Sequence, residues 1–376
     1  MINRALSYQD VYLIPKYSEL ESRSQADISV EFLGRRFRSP VVPANMESVI
    51  DDKIAKWLSE NDYFYIMHRF GDTLEFIRKA NQENWRNISI SVGVKEEDQE
   101  LLRNIVKENL RIDFMTIDVA HGHHFLVKSM IAFIRGLKFK YFPHLSPLSI
   151  NGLGKQDLIS TKSFEYFPKI IAGNVSTPEA VKDLTEWGAD AIKAGQASGR
   201  ACATKNQTGF FIPMFTCVKD CSLWGGPTRG HHIGRPAIVP IISDGGCVEN
   251  GDIAKALAAG ATMIMVGSLL AACIDSPAEN VYHKRATLIA TDDYDGQINY
   301  TDDMFKIIKK RYHGSASAKQ KRERKHVEGH ELEIPCNQMT YAEKYQEISE
   351  SLKSSVSYAG GKDLSALKKV EYLTIK

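Results

Sequence analysis

The sequence predicts an α/β protein folded as a (β/α)8 TIM barrel, and three observations carry that prediction. Eight short apolar or β-branched runs recur along the 376 residues. Amphipathic stretches such as EAVKDLTEWG (179–188) and DIAKALAAG (252–260) separate them, and the residues that follow most of the runs are polar and Gly-rich. Unbroken apolar runs belong to strands buried on both faces, as in a parallel sheet covered by helices. Eight such units favour a closed barrel over an open sheet.

The elements follow in chain order. The first run, Pro40–Ala44, ends in Asn45 and Met46, and the second, Tyr63–His68, leads into Arg69 and Phe70. Ile88–Val94 is the third. Phe114–Ala120 is the fourth and opens DVAHGH (118–123), while Lys169–Val175, the fifth, contains Gly173 and Asn174. Ala191–Gly195, the sixth, runs into a loop that reaches Lys205. The last two, Ile238–Gly246 and Met263–Gly267, end in SDGG and in Gly267-Ser268. In a barrel of this kind the chemistry sits at the C-terminal ends of the strands, so these are the residues that matter for function. The units share no sequence identity, which excludes a solenoid. The chain reads as a single catalytic domain, 1–376, with two added segments. Leu137 to Pro168 lies between a helix and the fifth strand and is expected at the barrel bottom. Ala278 to Arg311 follows the eighth strand and is expected on the active-site face.

Composition narrows the function classes. Lys plus Arg total 48 and Asp plus Glu 46, so the +2 balance predicts no global attraction to nucleic acid or to an anionic membrane. Hydrophobic residues at 43% and charged ones at 25% are those of an ordinary globular protein. Six cysteines are too few for a disulfide scaffold of this length, so reduced thiols and a cytoplasmic location are expected. The N-terminal residues lack a basic-then-apolar leader, and no apolar run nears the roughly 18 residues of a membrane span. Neither secretion nor membrane insertion is expected. The densest basic stretch, Lys306 to Lys325, reads either as a rim that attracts anionic nucleotides or as a solvated loop. Tyr312 is its one stacking aromatic, which argues against nucleic acid.

Two glycine-bearing turns, SDGG (243–246) and VGSL (266–269), end the last two predicted strands. Backbone N–H groups and a helix N-terminus at that place make a phosphate site. Asp244 is acidic and is expected to face a ribose hydroxyl pair instead. A nucleoside monophosphate meets both demands. Cys202 lies in KAGQASGRACATKNQTGF (193–210), beside Arg200 and Lys205, where positive charge and backbone amides favour a thiolate nucleophile. Cys217, Cys247 and Cys273 read instead as small buried hydrophobes. His121 and His123 have no third metal ligand nearby and read as core or supporting histidines. No GxGxxG occurs, so the chain carries no Rossmann dinucleotide fingerprint.

These residues resemble the IMP dehydrogenase and GMP reductase family, the reductase branch most closely. The matching elements, in the family's order, are DVYLIP (10–15), SRSQAD (22–27), PANMESVI (43–50), MHRF (67–70), SISVGVK (89–95), TIDVAHGH (116–123), IAGNVSTPEAV (171–181), GADAIKAG (188–195), the Cys202 loop, SDGG with GDIAKALAAGATMIMVGSL (251–269), YHGSAS (312–317), VEG (327–329) and SVSYAGGKDL (355–364). The resemblance implies covalent chemistry at purine C2. Cys202 attacks GMP, the 2-amino group leaves as ammonia, and NADPH reduces the thioimidate to give IMP. Thr204 and Glu328 match the pair that handles protons at the departing amine, a task suited to a carboxylate with a hydroxyl relay. By the same matching Gly245, Gly246, Gly267 and Ser268, with Tyr312, hold the phosphate, and Asp244 holds the ribose; Arg200 does not come from the matching, but its positive charge can pair with the phosphate. Ser315, Ala316, Glu328 and Gly329 meet the base edge, and Met46 its face. Arg69, Asp118, Ala120 and Asn174 lie on the cofactor side. A homotetramer and a candidate K+ position near Gly195, Gly199 and Cys202 are also implied.

Two spacings favour reduction over oxidation. Only residues 71–87 separate MHRF from the third strand, too few for the paired regulatory modules of most IMP dehydrogenases. Only residues 318–326 separate GSAS from VEG, so the flap with the Arg-Tyr pair that activates water is missing. The sequence also departs from the family's pattern. Ala197 stands where a glycine is usual and lacks its freedom at positive φ, and Arg200 replaces a serine. An IMP dehydrogenase without regulatory modules, a reductase for a deoxy or modified purine nucleotide and a silent nucleotide-binding barrel therefore stay open as alternatives.

Overall fold

The structure is a computed structural model that describes residues 5–141, 164–223, 239–284, 305–314, 317 and 329–375. Its central sheet has seven parallel strands: β1 (Val41–Pro43), β2 (Ser89–Val92), β3 (Phe114–Asp118), β4 (Lys169–Val175), β5 (Ala191–Ala194), β6 (Ile241–Asp244) and β7 (Met263–Val266). They lie in the order β1-β7-β6-β5-β4-β3-β2. The predicted strand Tyr63–His68 fills the place between β2 and β1 without regular strand pairing. Its backbone reaches β2 through Met67 N to Ser89 O at 3.2 Å. Side chains add two bonds across the same gap: Tyr65 Oη donates to Asn87 O at 3.0 Å and Ser91 Oγ to Met67 O at 2.6 Å. Hydroxyls thus substitute for ladder bonds, which is why the apolar run is buried as expected yet irregular.

A helix follows each of the eight segments: α1 (Asp52–Glu60), α2 (Thr73–Gln82), α3 (Glu96–Lys107), α4 (Phe125–Gly136), α5 (Pro178–Glu186), α6 (Met214–Leu223), α7 (Asn250–Ala258) and α8 (Tyr341–Tyr358). The fold is a (β/α)8 barrel. Local sequence sets where several helices begin. Asp51, Asp72, Thr177 and Thr340 each accept a bond from an N–H of the first turn, worth about 1 kcal/mol apiece, and Pro178 takes the first position of α5. The last helix closes the ring: Tyr341 Oη donates to Val49 O at 2.5 Å, and the Tyr345 ring lies 5.7 Å from Trp57 of α1.

A hairpin of Val30–Phe32 and Arg35–Phe37 stops the N-terminal end of the barrel. Phe32 and Phe37 pack on Phe64 at 4.9 and 5.3 Å between ring centroids, and Phe64 on Phe114 at 5.1 Å. This plug leaves the opposite, C-terminal end of the strands for ligands. Within 137–168, Phe139–Tyr141 pairs antiparallel with Phe164–Tyr166, and Tyr166 Oη accepts from Ile112 N at 2.8 Å, next to the start of β3. Residues 142–163 lie outside the described ones.

Beyond β7 the chain forms an antiparallel sheet of β8 (Glu279–Lys284), β9 (Phe305–His313) and β10 (Glu331–Pro335). It leans on the C-terminal mouth of the barrel, where Ser48 Oγ donates to His313 O at 3.3 Å. Up to His313, the described part of the basic stretch lies on a strand and not in a loop. Lys309 pairs with Glu333 at 3.0 Å and Arg311 with Glu279 at 2.7 Å across the sheet, while buried Lys310 donates to Ser276 O at 3.1 Å and Asn280 Oδ1 at 2.5 Å. Among the described residues no helix is long and apolar enough to cross a membrane. All six cysteines are free; Cys217, Cys221, Cys247 and Cys273 are buried and Cys202 is half-buried.

Candidate active site

The loop after β5 carries Cys202 and is stitched down on both sides. Cys202 N donates to Gly199 O at 3.0 Å, and His330 N donates to Ala201 O at 2.7 Å. Cys202 and Gly329 form an antiparallel bridge, so the residues ahead of β10 lie directly against the cysteine. The Cys202 thiol points to Thr204 Oγ1 at 3.2 Å. Thr204 begins the short helix Thr204–Thr208, which keeps its hydroxyl beside the sulfur.

Two cavities adjoin at this mouth. One, of about 550 Å³, is lined by Tyr8, Met46, Arg200, Lys205, Gly245, Gly246, Gly267, Ser268 and Tyr312. The other, of about 370 Å³, is lined by Asn45, Arg69, Asp118, Ala120, Asn174, Lys193, Cys202, Thr204 and Gly329. Met46, Ser198, Asp244 and Tyr312 border both. The first suits an anion at the glycine turns. The second lies beside the thiol with polar side chains on its wall.

Close packing explains several glycines at the mouth. Gly195 has φ +130, and a Cβ there would lie 2.2 Å from Asp244 O. At Gly267 an added Cβ would lie 2.5 Å from Tyr312 Oη, so the tyrosine covers the start of the short helix Ser268–Ala271. Tyr312 is buried, which pushes its phenol above the usual tyrosine range and keeps it a neutral donor, in contact with Met46 Sδ at 3.8 Å. Ala197 adopts φ +59, a left-handed conformation that costs alanine about 1 to 2 kcal/mol relative to glycine.

The second cavity is organised by charge. Lys193 Nζ lies 2.5 Å from Asp118 Oδ1 and 3.0 Å from Asp244 Oδ2. Asn45 Nδ2 donates to Asp118 Oδ2 at 3.0 Å, and Asn174 Nδ2 to Asp244 Oδ2 and Gly195 O, both at 2.7 Å. Asn174 can reach inward because the β4–β5 register steps from Gly173–Lys193 to Val175–Ala194, leaving it as an extra residue. Burial works against charge on Asp118, but Lys193, Arg69 and Asn45 outweigh it and hold the carboxyl below the ordinary aspartate range. Burial likewise opposes charge on Lys193, and its two carboxylate partners raise it well above the usual lysine range.

Most residues singled out from sequence thus converge at one mouth. Arg200, Arg69 and Ala120 are exposed at its rim. Arg69 lies over the Phe70 ring at 5.3 Å, and Ala120 O accepts from Gln196 Nε2 at 3.1 Å. Gly199 lines both cavities. Ser315, Ala316 and Glu328 lie outside the described residues. His123 pairs with Asp183 at 2.8 Å and His121 with Gln196 at 3.0 Å. Sequence reasoning missed Lys193, although a charge inside the apolar strand AIKA (191–194) was a visible signal. It also missed Tyr8, whose buried hydroxyl meets Ser243 Oγ at 2.7 Å, and nothing local marked that N-terminal residue.

Known proteins resemble this chain over nearly its whole length. The family model described as IMP dehydrogenase / GMP reductase domain matches residues 5–141 and 156–375. The GMP reductase of Staphylococcus carnosus (strain TM300) is 40% identical over 377 residues, covering 99% of this chain and 97% of its own. That of Oenococcus oeni is 41% identical, covering 98% and 96%, and that of Mesoplasma florum 40%, covering 99% and 98%.

Proposed function

The chain belongs to the IMP dehydrogenase / GMP reductase family, and from that premise we propose that it is a GMP reductase, an oxidoreductase that converts GMP to IMP and ammonia with NADPH. The observation that carries this reading is the Cys202–Thr204 pair, set 3.2 Å apart on a slot that joins, past Met46 and Asp244, the cavity of the glycine turns. GMP would lie with its phosphate at Gly245, Gly246, Gly267, Ser268 and Tyr312, where Arg200 supplies positive charge. Asp244 takes the ribose hydroxyls, Met46 the purine face, and Gly329, with Ser315 and Ala316, the base edge.

Cys202 Sγ gives up its proton toward Thr204 and attacks C2 of the purine. The S–C2 bond forms, the C2–N2 bond breaks, and the 2-amino group leaves as ammonia after protonation through Thr204 and Glu328. A reduced nicotinamide, when bound, supplies the hydride that C2 takes up. Expulsion of the Cys202 thiolate then leaves IMP. Arg69, Asp118, Ala120 and Asn174 would hold the cofactor against Cys202. A K+ ion near Gly195, Gly199 and Cys202 belongs to the same reading; Gly195 O and Gly199 O each accept one protein donor and keep a second lone pair. The protein works, in this reading, as a cytoplasmic homotetramer, with 137–168 at the barrel bottom and 278–311 on the active-site face as additions to the single catalytic domain.

The test is incubation with GMP and either NADPH or NADH, with loss of the reduced nicotinamide absorbance followed and the product identified by mass. IMP and ammonia, formed faster with NADPH, are expected. Conversion of IMP to XMP with no reaction of GMP would overturn the assignment.

A further inference from the structure

Lys193 is a charged side chain where a barrel strand would ordinarily carry an apolar one. It is 2% exposed, and its neighbours on β5 are Ile192 and Ala194. Burying an ammonium and two carboxylates costs several kcal/mol per ion before pairing, so an apolar residue would serve the core better. The ammonium is satisfied by Asp118 Oδ1 from β3, Asp244 Oδ2 from β6 and Asn45 Oδ1, at 2.5, 3.0 and 3.4 Å. Each carboxylate is gripped by an amide as well, Asp118 by Asn45 and Asp244 by Asn174. Asp244 borders both cavities, and its Oδ1 has no hydrogen bond among the described residues.

We propose that Lys193 is a positioning residue shared by the two cavities: it fixes the Asp118 and Asp244 carboxylates relative to one another, so that a ribose at Asp244 Oδ1 and a cofactor ring at Asp118 are held in one register over Cys202. This rests on the nucleotide-and-cofactor reading of the site. The charged groups around Asp118 are Lys193, Arg69 and Asp244, and Lys193 is the one in hydrogen-bond contact with both acids. Removing it leaves two carboxylates facing one another with Arg69 as the remaining cation, which favours protonating one of them.

Lys193→Met keeps the length of the side chain without the charge. The expected result is a rise of about tenfold in KM for both GMP and the cofactor, and an acid limb of the kcat/KM profile moved up by about one pH unit. Lys193→Arg is expected to bring the limb back. A lysine that served only the fold would lower the melting temperature and leave the limb and both KM values where they are; that outcome in a folded Lys193→Met protein overturns the proposal. If the methionine variant does not fold, carboxyl-carbon NMR of aspartate-labelled wild-type protein decides: Asp118 is expected to titrate below the ordinary aspartate value, and titration at or above it overturns the proposal. Wild-type turnover of GMP is the control. Its absence would count against the reductase reading, while the NMR titration, which needs no ligand, would still report on the lysine.

Discussion

Gly245→Ala is a sharp test of the phosphate turn. Gly245 sits at φ +105, and a Cβ built on it would lie 2.3 Å from Ser198 Oγ, 2.9 Å from Ser198 Cβ and 3.0 Å from the Ser198 carbonyl carbon. Ser198 Oγ in turn donates to Asp244 O at 2.6 Å, tying the Cys202 loop to the end of β6. The left-handed backbone costs alanine about 1 to 2 kcal/mol. Displacing the serine hydroxyl forfeits one hydrogen bond, about 1 kcal/mol. The lower entropy of alanine in the unfolded chain returns about 0.4 to 1 kcal/mol. The balance is a loss of about 2 kcal/mol in a urea melt, together with a rise of about tenfold or more in KM for GMP as the turn shifts. Ser198→Ala alone should cost about 1 kcal/mol. Because that change removes both the hydrogen bond and the nearest obstacle, the double variant should lose about 1 kcal/mol less than the sum of the two. Strict additivity, or a Gly245→Ala protein with unchanged stability and KM, would refute the packing argument.

Cys202→Ala should abolish turnover while GMP still binds with near wild-type affinity by calorimetry, since the sulfur adds a bond to C2 and little to ground-state binding; full activity would exclude the covalent route. Tyr8→Phe removes the hydroxyl that meets Ser243 Oγ in the core, with an expected loss of about 1 to 2 kcal/mol in a denaturant melt. Asp118 is held below its ordinary range in the folded state, so its stabilising contribution is present above the unfolded value and is lost as pH falls through the folded one. The stability gap between wild type and Asp118→Asn should therefore stay constant from about pH 7 to 5 and close below about pH 4, as read from melts across pH; a gap that widened toward acid would contradict the ion pairing.

Much of this molecule is legible without coordinates. Alternating apolar runs and amphipathic stretches announce a barrel, because strand and helix periodicities are local properties of neighbouring residues. The helix starts at Asp51, Asp72, Thr177 and Thr340 are equally local. The glycine turns and Cys202 could be picked out since barrel chemistry sits just after strands. The concern over Ala197 was legible too, and its φ of +59 bears it out. Tyr63–His68 shows where such reading fails: an apolar run predicts burial, but whether it pairs depends on hydroxyls brought in from Tyr65 and Ser91.

What the sequence determined by itself is the fold, its order of elements and the residue types at the mouth of the barrel. Tertiary structure alone decided that Asn45, Asp118, Lys193 and Asp244, drawn from the ends of separate strands and spaced far apart along the chain, form one charged network. It also decided that Tyr8 from the N-terminal region lines the same cavity as the turn at Gly246. The reason is physical: periodicity and turn chemistry act over a few residues, whereas the meeting of these side chains depends on how the barrel closes, which no single stretch of sequence encodes.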